Sequence, residues 1–305
     1  MPWGLKLGLA LAAVYLAWGS SYLAVLIGVR DAPPLMFAGA RLLLAAPLML
    51  MLALSVGQRW PTERRSWVWL LVVATLIPAG SGGLVAWALQ FVPSGHAAII
   101  IASAALWMTW FASWGASGER VSMVTMMGLV LGLIGVALVM EGSWADRELR
   151  GMAGYVALVL ASASLAAGTV LLRRHPPHCG IFMAAGLQMT LAGLVLVAMA
   201  ALLGESPTMT AFTPHALGAL IYLVVGSVLG YSALYWLVSA VSPALLGSYL
   251  YVSPAVAVLL GWWVLDERLS AVQGMGMVVI LAAVVVVEGV TKKHRRQASG
   301  EEGTT

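Results

Sequence analysis

Arg41 has the clearest claim to chemistry in this chain. It stands inside an apolar run covering residues 34–54, seven residues or about 10 Å from its start. A cation at the centre of a membrane helix costs about 2.5–3.5 kcal/mol on insertion scales. Three uses would justify it. The side chain can snorkel to the nearer surface, bond carbonyls at a neighbouring helix end, or hold an anionic or carboxylate-bearing substrate.

Aromatic and hydroxyl side chains recur in other runs at helical spacing. Tyr15, Trp18 and Tyr22 form a stripe flanked by Ser20 and Ser21. Ser103, Trp107, Trp110 and Trp114 share a face; Trp114 fits an interfacial belt, whereas Trp107 lies too deep for one. Ser227, Tyr231 and Tyr235 fall on one run, Ser248 and Tyr251 on the next. Ser81, Trp87 and Gln90 belong to a run over 67–90, with Gln90 near its outer, interfacial end. The expected substrate pathway is Tyr15, Trp18, Ser21, Tyr22, Arg41, Ser81, Trp87, Gln90, Ser103, Trp107, Tyr231, Tyr235, Ser248 and Tyr251. Close helix packing is the competing use of the same side chains.

The missing groups narrow the chemistry. No Asp or Glu lies deep in a run; Glu141 and Glu288 fall near run ends. Proton-coupled carriers usually place a carboxylate or histidine there. His96, His175, His178, His215 and His294 lie in loops or at run ends. Plain facilitation, or coupling through uncharged groups, is the expectation. No catalytic set, metal-ligand cluster or Walker A sequence appears, so no metal and no cofactor are expected. The lone cysteine, Cys179, follows Pro176-Pro177-His178 and excludes an internal disulfide. An intramembrane enzyme or a non-transporting sensor or assembly partner is the alternative class. Ser81 lacks the Gly-x-Ser-Gly context of a rhomboid serine, and no soluble signalling domain fits.

The elements that must position these residues follow from composition. The chain is 61% hydrophobic and 9% charged, with a mean hydropathy of +0.95. Residues 66–118 and 206–265 contain no Asp, Glu, Lys or Arg. Only lipid can cover so much apolar surface, and each crossing must then be a helix of about 20 residues. Ten spans are predicted: 7–29, 34–54, 67–90, 95–116 and 122–140, then 152–172, 180–203, 216–238, 243–263 and 271–290. The first is longer than a signal-peptide core and is read as retained.

Lys and Arg in the connections number eleven on one side, among them Arg59, Arg64, Arg65, Arg120, Arg173 and Arg174, and four on the other. The richer side should be cytoplasmic, with both termini there, in a cytoplasmic (inner) membrane. The net charge of +4 then belongs to flanks near anionic lipid, and nucleic acid is not an expected partner. The expected partners are the bilayer and a small-molecule substrate, with a homodimer open.

Glu119-Arg120-Val121-Ser122 and Glu267-Arg268-Leu269-Ser270 start 148 positions apart, each nine residues before a glycine, Gly128 and Gly276. Five spans separate them, so they should face opposite sides. The fold class is an all-α membrane protein of ten helices in two inverted five-helix repeats. The units are 5–140 and 151–291, with a polar cytoplasmic tail over 292–305. Pro78, Gly80 and Gly82 mark a hinge inside the third span, with close packing the competing use. Pro254 marks a kink in the ninth.

Trp18-Gly19-Ser20, Arg41-Leu42-Leu43-Leu44-Ala45, Ala88-Leu89-Gln90 with Pro93-Ser94-Gly95-His96-Ala97-Ala98, Val241-Ser242-Pro243-Ala244, Tyr251-Val252-Ser253-Pro254 and Glu267-Arg268-Leu269 occur in an order and spacing that resemble the drug/metabolite transporter superfamily, in its ten-helix branch with two EamA-type repeats. The resemblance covers nearly all of residues 7–290. It implies a permease that moves a small metabolite or amino acid, expected outward, by alternating access at a central cavity. Helices one to four and six to nine should surround that cavity. The family's mid-helix proline is present as Pro254 and replaced by Ala105 in the first half, so the kink is expected in span nine alone.

Overall fold

The computed structural model describes residues 3–114, 123–139, 149–205, 213–241 and 249–298. Ten helical spans run through them, and no strand. They are α1 Trp3–Asp31, α2 Pro34–Ser55, α3 Arg64–Ala88, α4 Ser94–Ala112, α5 Met123–Val139, α6 Leu149–Arg174, α7 Ile181–Leu202, α8 Pro214–Ala240, α9 Tyr249–Leu265 and α10 Ala271–Ala298. Seven are long and apolar enough to cross a membrane; α5, α9 and α10 contribute shorter apolar stretches. The last helix continues beyond the expected end at 290 to Ala298. Glu119 and its neighbours lie outside the described residues.

Helix ends follow local chemistry. Proline opens α2 and α8, where its missing N–H costs nothing. Thr213 caps α8 by accepting from the Ala216 N–H. Gly57 (φ 75°) and Gly204 (φ 78°) close α2 and α7 in the left-handed region. The next residues then donate back, Gln58 N to Ala53 O and Glu205 N to Ala200 O, each at 2.9 Å, which makes two Schellman caps.

Cross-helix contacts give the directions. Gly39 of α2 meets Val197 and Leu196 of α7, and Leu50 meets Gly186, so α2 and α7 are antiparallel. Lys6, Trp18 and Asp31 of α1 meet Trp236, Tyr231 and Thr213 of α8 in falling order, again antiparallel. Trp69, Leu76 and Ala88 of α3 meet His175, Ser164 and Gly154 of α6 in the same way. His96 and Ser103 of α4 meet Tyr155 and Ser162 of α6 in parallel. Every relation fits ten alternating crossings, which leaves α6 opposed to α1 and the second half inverted.

The pairings also repeat between halves. The α1–α8 contact has its counterpart in α3–α6, α1–α9 in α4–α6, and α2–α8 in α3–α7; α2–α7, α4–α9 and α5–α10 are each their own counterpart. The α5–α10 crossing is close enough that a Cβ on Gly135 would lie 2.8 Å from the Gly276 carbonyl, and one on Gly276 2.7 Å from the Gly135 carbonyl. Only glycine allows that approach.

Two irregularities interrupt the helices. At the predicted hinge α3 does not break; it widens into a π-helical turn, Thr75–Ser81, with Pro78 inside. Proline removes one ladder donor, and a π turn absorbs it. The Ser164 hydroxyl of α6 donates to the Leu76 carbonyl at 2.7 Å. The second irregularity corrects the one-sided expectation. α4 is interrupted at Ser103, between Ser94–Ala102 and Ala104–Ala112, by tight bonds from Ser103 N to Ile100 O and from Leu106 N to Ser103 O. The first half thus carries its own break two residues from Ala105, without a proline. α9 runs through Pro254 as one helix.

Candidate functional site

The predicted pathway residues separate into groups. The central one joins both halves. Trp18 of α1 packs at a tilt against Tyr231 of α8, centroids 5.6 Å apart, and against Tyr249 of α9 at 5.8 Å. Ser21 donates to the Trp18 carbonyl at 2.7 Å and fixes the turn that presents the indole. Tyr22, one turn further along α1, interacts electrostatically with Tyr249 and with Arg41 of α2, and Tyr231 with Arg41. Tyr15 lies partly buried on the same stripe. Gly19 lets α9 approach; a Cβ there would sit 2.9 Å from the Ser253 carbonyl.

Arg41 as a whole is partly buried, yet its Nε is wholly buried and takes no hydrogen bond. Among the described residues no carboxylate lies within ion-pair distance of it; the two ion pairs there are His178–Glu63 and Arg268–Asp266. A buried unpaired donor costs about 1–3 kcal/mol, more when charged. The Ser253 hydroxyl, one turn beyond Tyr249, is also buried without a partner.

Tyr249 and Ser253 were not among the predicted residues. The signal was present as a Tyr and a Ser four apart on one face of the ninth span. Tyr251, chosen instead, lies about 200° around the helix from Tyr249. Ser248, and the side chains of Tyr235 and Tyr251, lie outside the described residues.

A second group lies on α4, α5 and α6. Ser103 donates to the Ile100 carbonyl at 2.6 Å and to Ser162 Oγ at 3.3 Å. Trp107 packs at a tilt on Trp110 and stacks with Phe111, and Trp110 meets Trp114 edge-on at 5.3 Å. Ser103, Trp107, Gly132 and Val159 line a void of about 10 Å³, room for about one water. Arg174 holds the end of this helix, its Nη2 donating to the carbonyls of Ala112 (3.0 Å) and Trp114 (2.6 Å).

The remaining residues stand apart. Ser81 is buried in the π turn between Gly80 and Gly82. Trp87 packs edge-on against Phe91 at 5.2 Å, and exposed Gln90 donates to the Trp87 carbonyl at 3.0 Å. His96, expected at a span end, is 3% exposed, with Nδ1 2.7 Å from the Tyr155 hydroxyl and Nε2 unpartnered.

Three side chains serve as caps between helices, a role the sequence reading did not foresee. Glu267 accepts from Ser94 N at 2.9 Å, Ser94 Oγ at 3.0 Å and Gly95 N at 3.2 Å, closing the start of α4. Glu205 accepts from Leu35 N and Met36 N at the start of α2. Gln58 accepts from Met183 N at the start of α7. Inside a bilayer such donors have no water to turn to.

Ten alternating helices in inverted halves make a polytopic membrane protein of the inverted-repeat kind on which many transporters are built. The EamA-like transporter family matches residues 5–141 and again residues 152–288, and the chain belongs to that family. It is 34% identical over 279 residues to the Escherichia coli (strain K12) protein named "Uncharacterized inner membrane transporter YedA", covering 91% of this chain and 89% of that one. It is 22% identical over 287 residues to the Bacillus subtilis (strain 168) protein named "Uncharacterized transporter YoaV", covering 93% and 95%. One crystal structure shares the fold at a TM-score of 0.60 and 18% identity, over 92% of this chain and 96% of that one.

Proposed function

We propose that this transporter is a secondary permease of the cytoplasmic membrane that moves a small polar metabolite, an amino acid or related compound, outward by alternating access between residues 5–140 and 151–291. The observation that carries the reading is the buried Arg41 Nε without an acceptor, on a guanidinium that interacts electrostatically with Tyr22 of one half and Tyr231 of the other. A solute held there touches both halves, so rocking one against the other changes the side to which it is open. The YedA-like relatives named as inner membrane transporters support the compartment, and the excess of Lys and Arg on one side supports cytoplasmic termini. Residues 292–305 form the cytoplasmic polar end.

Uptake and release of labelled amino acids by the purified protein in liposomes tests this. Arg41→Ala and Trp18→Ala should slow transport by at least about tenfold, while Trp107→Ala, beside the small void, should change it less. Full rates and affinities in both Arg41→Ala and Trp18→Ala for every transported solute would remove the site. A strong acceleration by an imposed proton gradient would contradict transport without a buried carboxylate.

A further inference from the structure

Resting on the permease and the Arg41 site of that reading, the charge balance favours, in place of an amino acid, a related compound that lacks the ammonium group. The acidic side chains that are described, Asp31, Glu63, Glu205, Asp266 and Glu267, all stand at helix ends. Asp31 receives the Thr213 hydroxyl, while Glu205 and Glu267 are committed to the starts of α2 and α4. None is free to meet an ammonium beside Arg41. The electrostatic neighbours of the guanidinium are the phenols of Tyr22 and Tyr231, and the Trp18 ring packs at a tilt against Tyr231. A bound carboxylate would supply the acceptor that buried Nε lacks, and its neutralising charge would offset the desolvation of the cation. The tilted rings of Trp18, Tyr231 and Tyr249 offer aromatic surface to the rest of the solute.

We infer that the Arg41 site takes a small organic monocarboxylate with an apolar or aromatic body and no ammonium group, and that each transfer therefore carries one net negative charge. A zwitterion would bring an ammonium for which none of the described carboxylates is free, and its desolvation would oppose binding. The energetic consequence is directional. An inside-negative potential drives a monoanion outward, by about fifty-fold at equilibrium for each 100 mV, with no coupling ion. Export then needs no intramembrane carboxylate.

Hydrocinnamate, phenylalanine and phenethylamine test this, because they share a ring and a two-carbon spacer and carry charges of minus one, zero and plus one. Binding is read by titration of the detergent-purified protein, and flux in liposomes under a potassium diffusion potential, with protein-free vesicles subtracted. Hydrocinnamate should bind at least about tenfold more tightly than phenylalanine, with phenethylamine weaker still. Its protein-dependent uptake should rise under an interior-positive potential and fall when the sign is reversed. Arg41→Gln should abolish the preference and Arg41→Lys keep part of it. If Arg41→Gln does not fold, the wild-type charge series and its potential dependence decide. Equal or tighter binding of phenylalanine, binding of none of the three, or flux indifferent to potential overturns the proposal. Phenylalanine flux that is electroneutral and unchanged in Arg41→Gln would overturn the anion site and leave the permease standing. Arg41-dependent hydrocinnamate binding with no flux of any probe would keep the site and overturn the permease.

Discussion

Gln58 and Glu205 stand 147 positions apart and perform one task at opposite ends of one helix pair. Gln58 ends α2 and accepts from Met183 N of α7 at 2.9 Å; Glu205 ends α7 and accepts from Met36 N of α2 at 2.9 Å. Met36 and Met183 are themselves 147 apart, and each is the third residue of its helix. The preceding glycines have matching φ and the same back-bonds. Two halves so related share a pseudo-twofold relation down to single hydrogen bonds. Glu205→Ala should destabilise the protein by about 1–3 kcal/mol, because two N–H groups lose their acceptor. Glu205→Gln keeps one acceptor and should lose less. Gln58→Glu should stabilise by about 0.3–1 kcal/mol, since it places an anion at a helix start. Thermal unfolding in detergent reads all three; equal melting of wild type and Glu205→Ala would refute the clamp.

Glu267 makes a harder test of the same chemistry, because its carboxylate takes three donors, Ser94 N, Ser94 Oγ and Gly95 N, where that of Glu205 takes two. Oε1 takes Ser94 N, Oε2 takes Gly95 N at 3.2 Å, and the Ser94 hydroxyl lies within reach of both. An amide in that place must turn its NH₂ toward a backbone N–H. Glu267→Gln should therefore cost nearly as much as Glu267→Ala, on the order of 1–3 kcal/mol. Glu205→Gln should be the milder of the two amide substitutions, because its NH₂ can face the longer Leu35 contact at 3.3 Å while the oxygen keeps Met36 N at 2.9 Å. Parallel melts of the four variants check the ordering, and an innocuous Glu267→Gln would contradict the two-oxygen geometry.

The halves were legible in the sequence because lipid imposes length and apolarity on every crossing. All ten spans have their helices, and Trp18 of the first packs against Tyr231 of the eighth. The caps were hidden for a physical reason. Gln58 and Glu267 look like loop polarity until the chain places them over another helix's start, which no local pattern encodes. The Gly57-Gln58 and Gly204-Glu205 repeat was nevertheless readable as a glycine and a polar residue closing equivalent spans. Ser103 shows the opposite failure: a lone serine in an apolar run gives no sign of a helix break, whereas Pro254 gives a sign and α9 continues through it. Tyr249 was missed because Tyr251 matched a family motif, and two residues along a helix is nearly the opposite face.

Cys179 offers a test of orientation with native chemistry. It sits between α6 and α7, in the connection whose Arg173 and Arg174 belong to the predicted cytoplasmic side. Partial burial pushes its thiol above the ordinary value and so favours the neutral form. The thiolate is the reactive species, so maleimide should label it more slowly than a free cysteine near neutral pH, with the rate still climbing above pH about 8.5. In right-side-out vesicles a permeant maleimide should reach it and an impermeant one should not. Labelling by the impermeant reagent without lysis would invert the assigned topology.

Arg41 separates a structural from a functional reading through the sign of one stability change. An arginine that tied helices together would leave unpaired carbonyls behind on removal, and the protein would melt lower. Arg41 Nε instead has no acceptor, and no carboxylate offsets the charge among the described residues. A partly buried cation in that state lowers the stability of the empty protein, and an unbranched apolar replacement relieves it. Arg41→Met should therefore raise the melting temperature of the ligand-free protein while transport falls, the trade expected where a site is held ready for a ligand that is absent. Added substrate should stabilise wild type and leave Arg41→Met unmoved, since only a protein that binds gains by mass action. A lower melting temperature for Arg41→Met, with ligand stabilisation retained, would assign Arg41 to the scaffold.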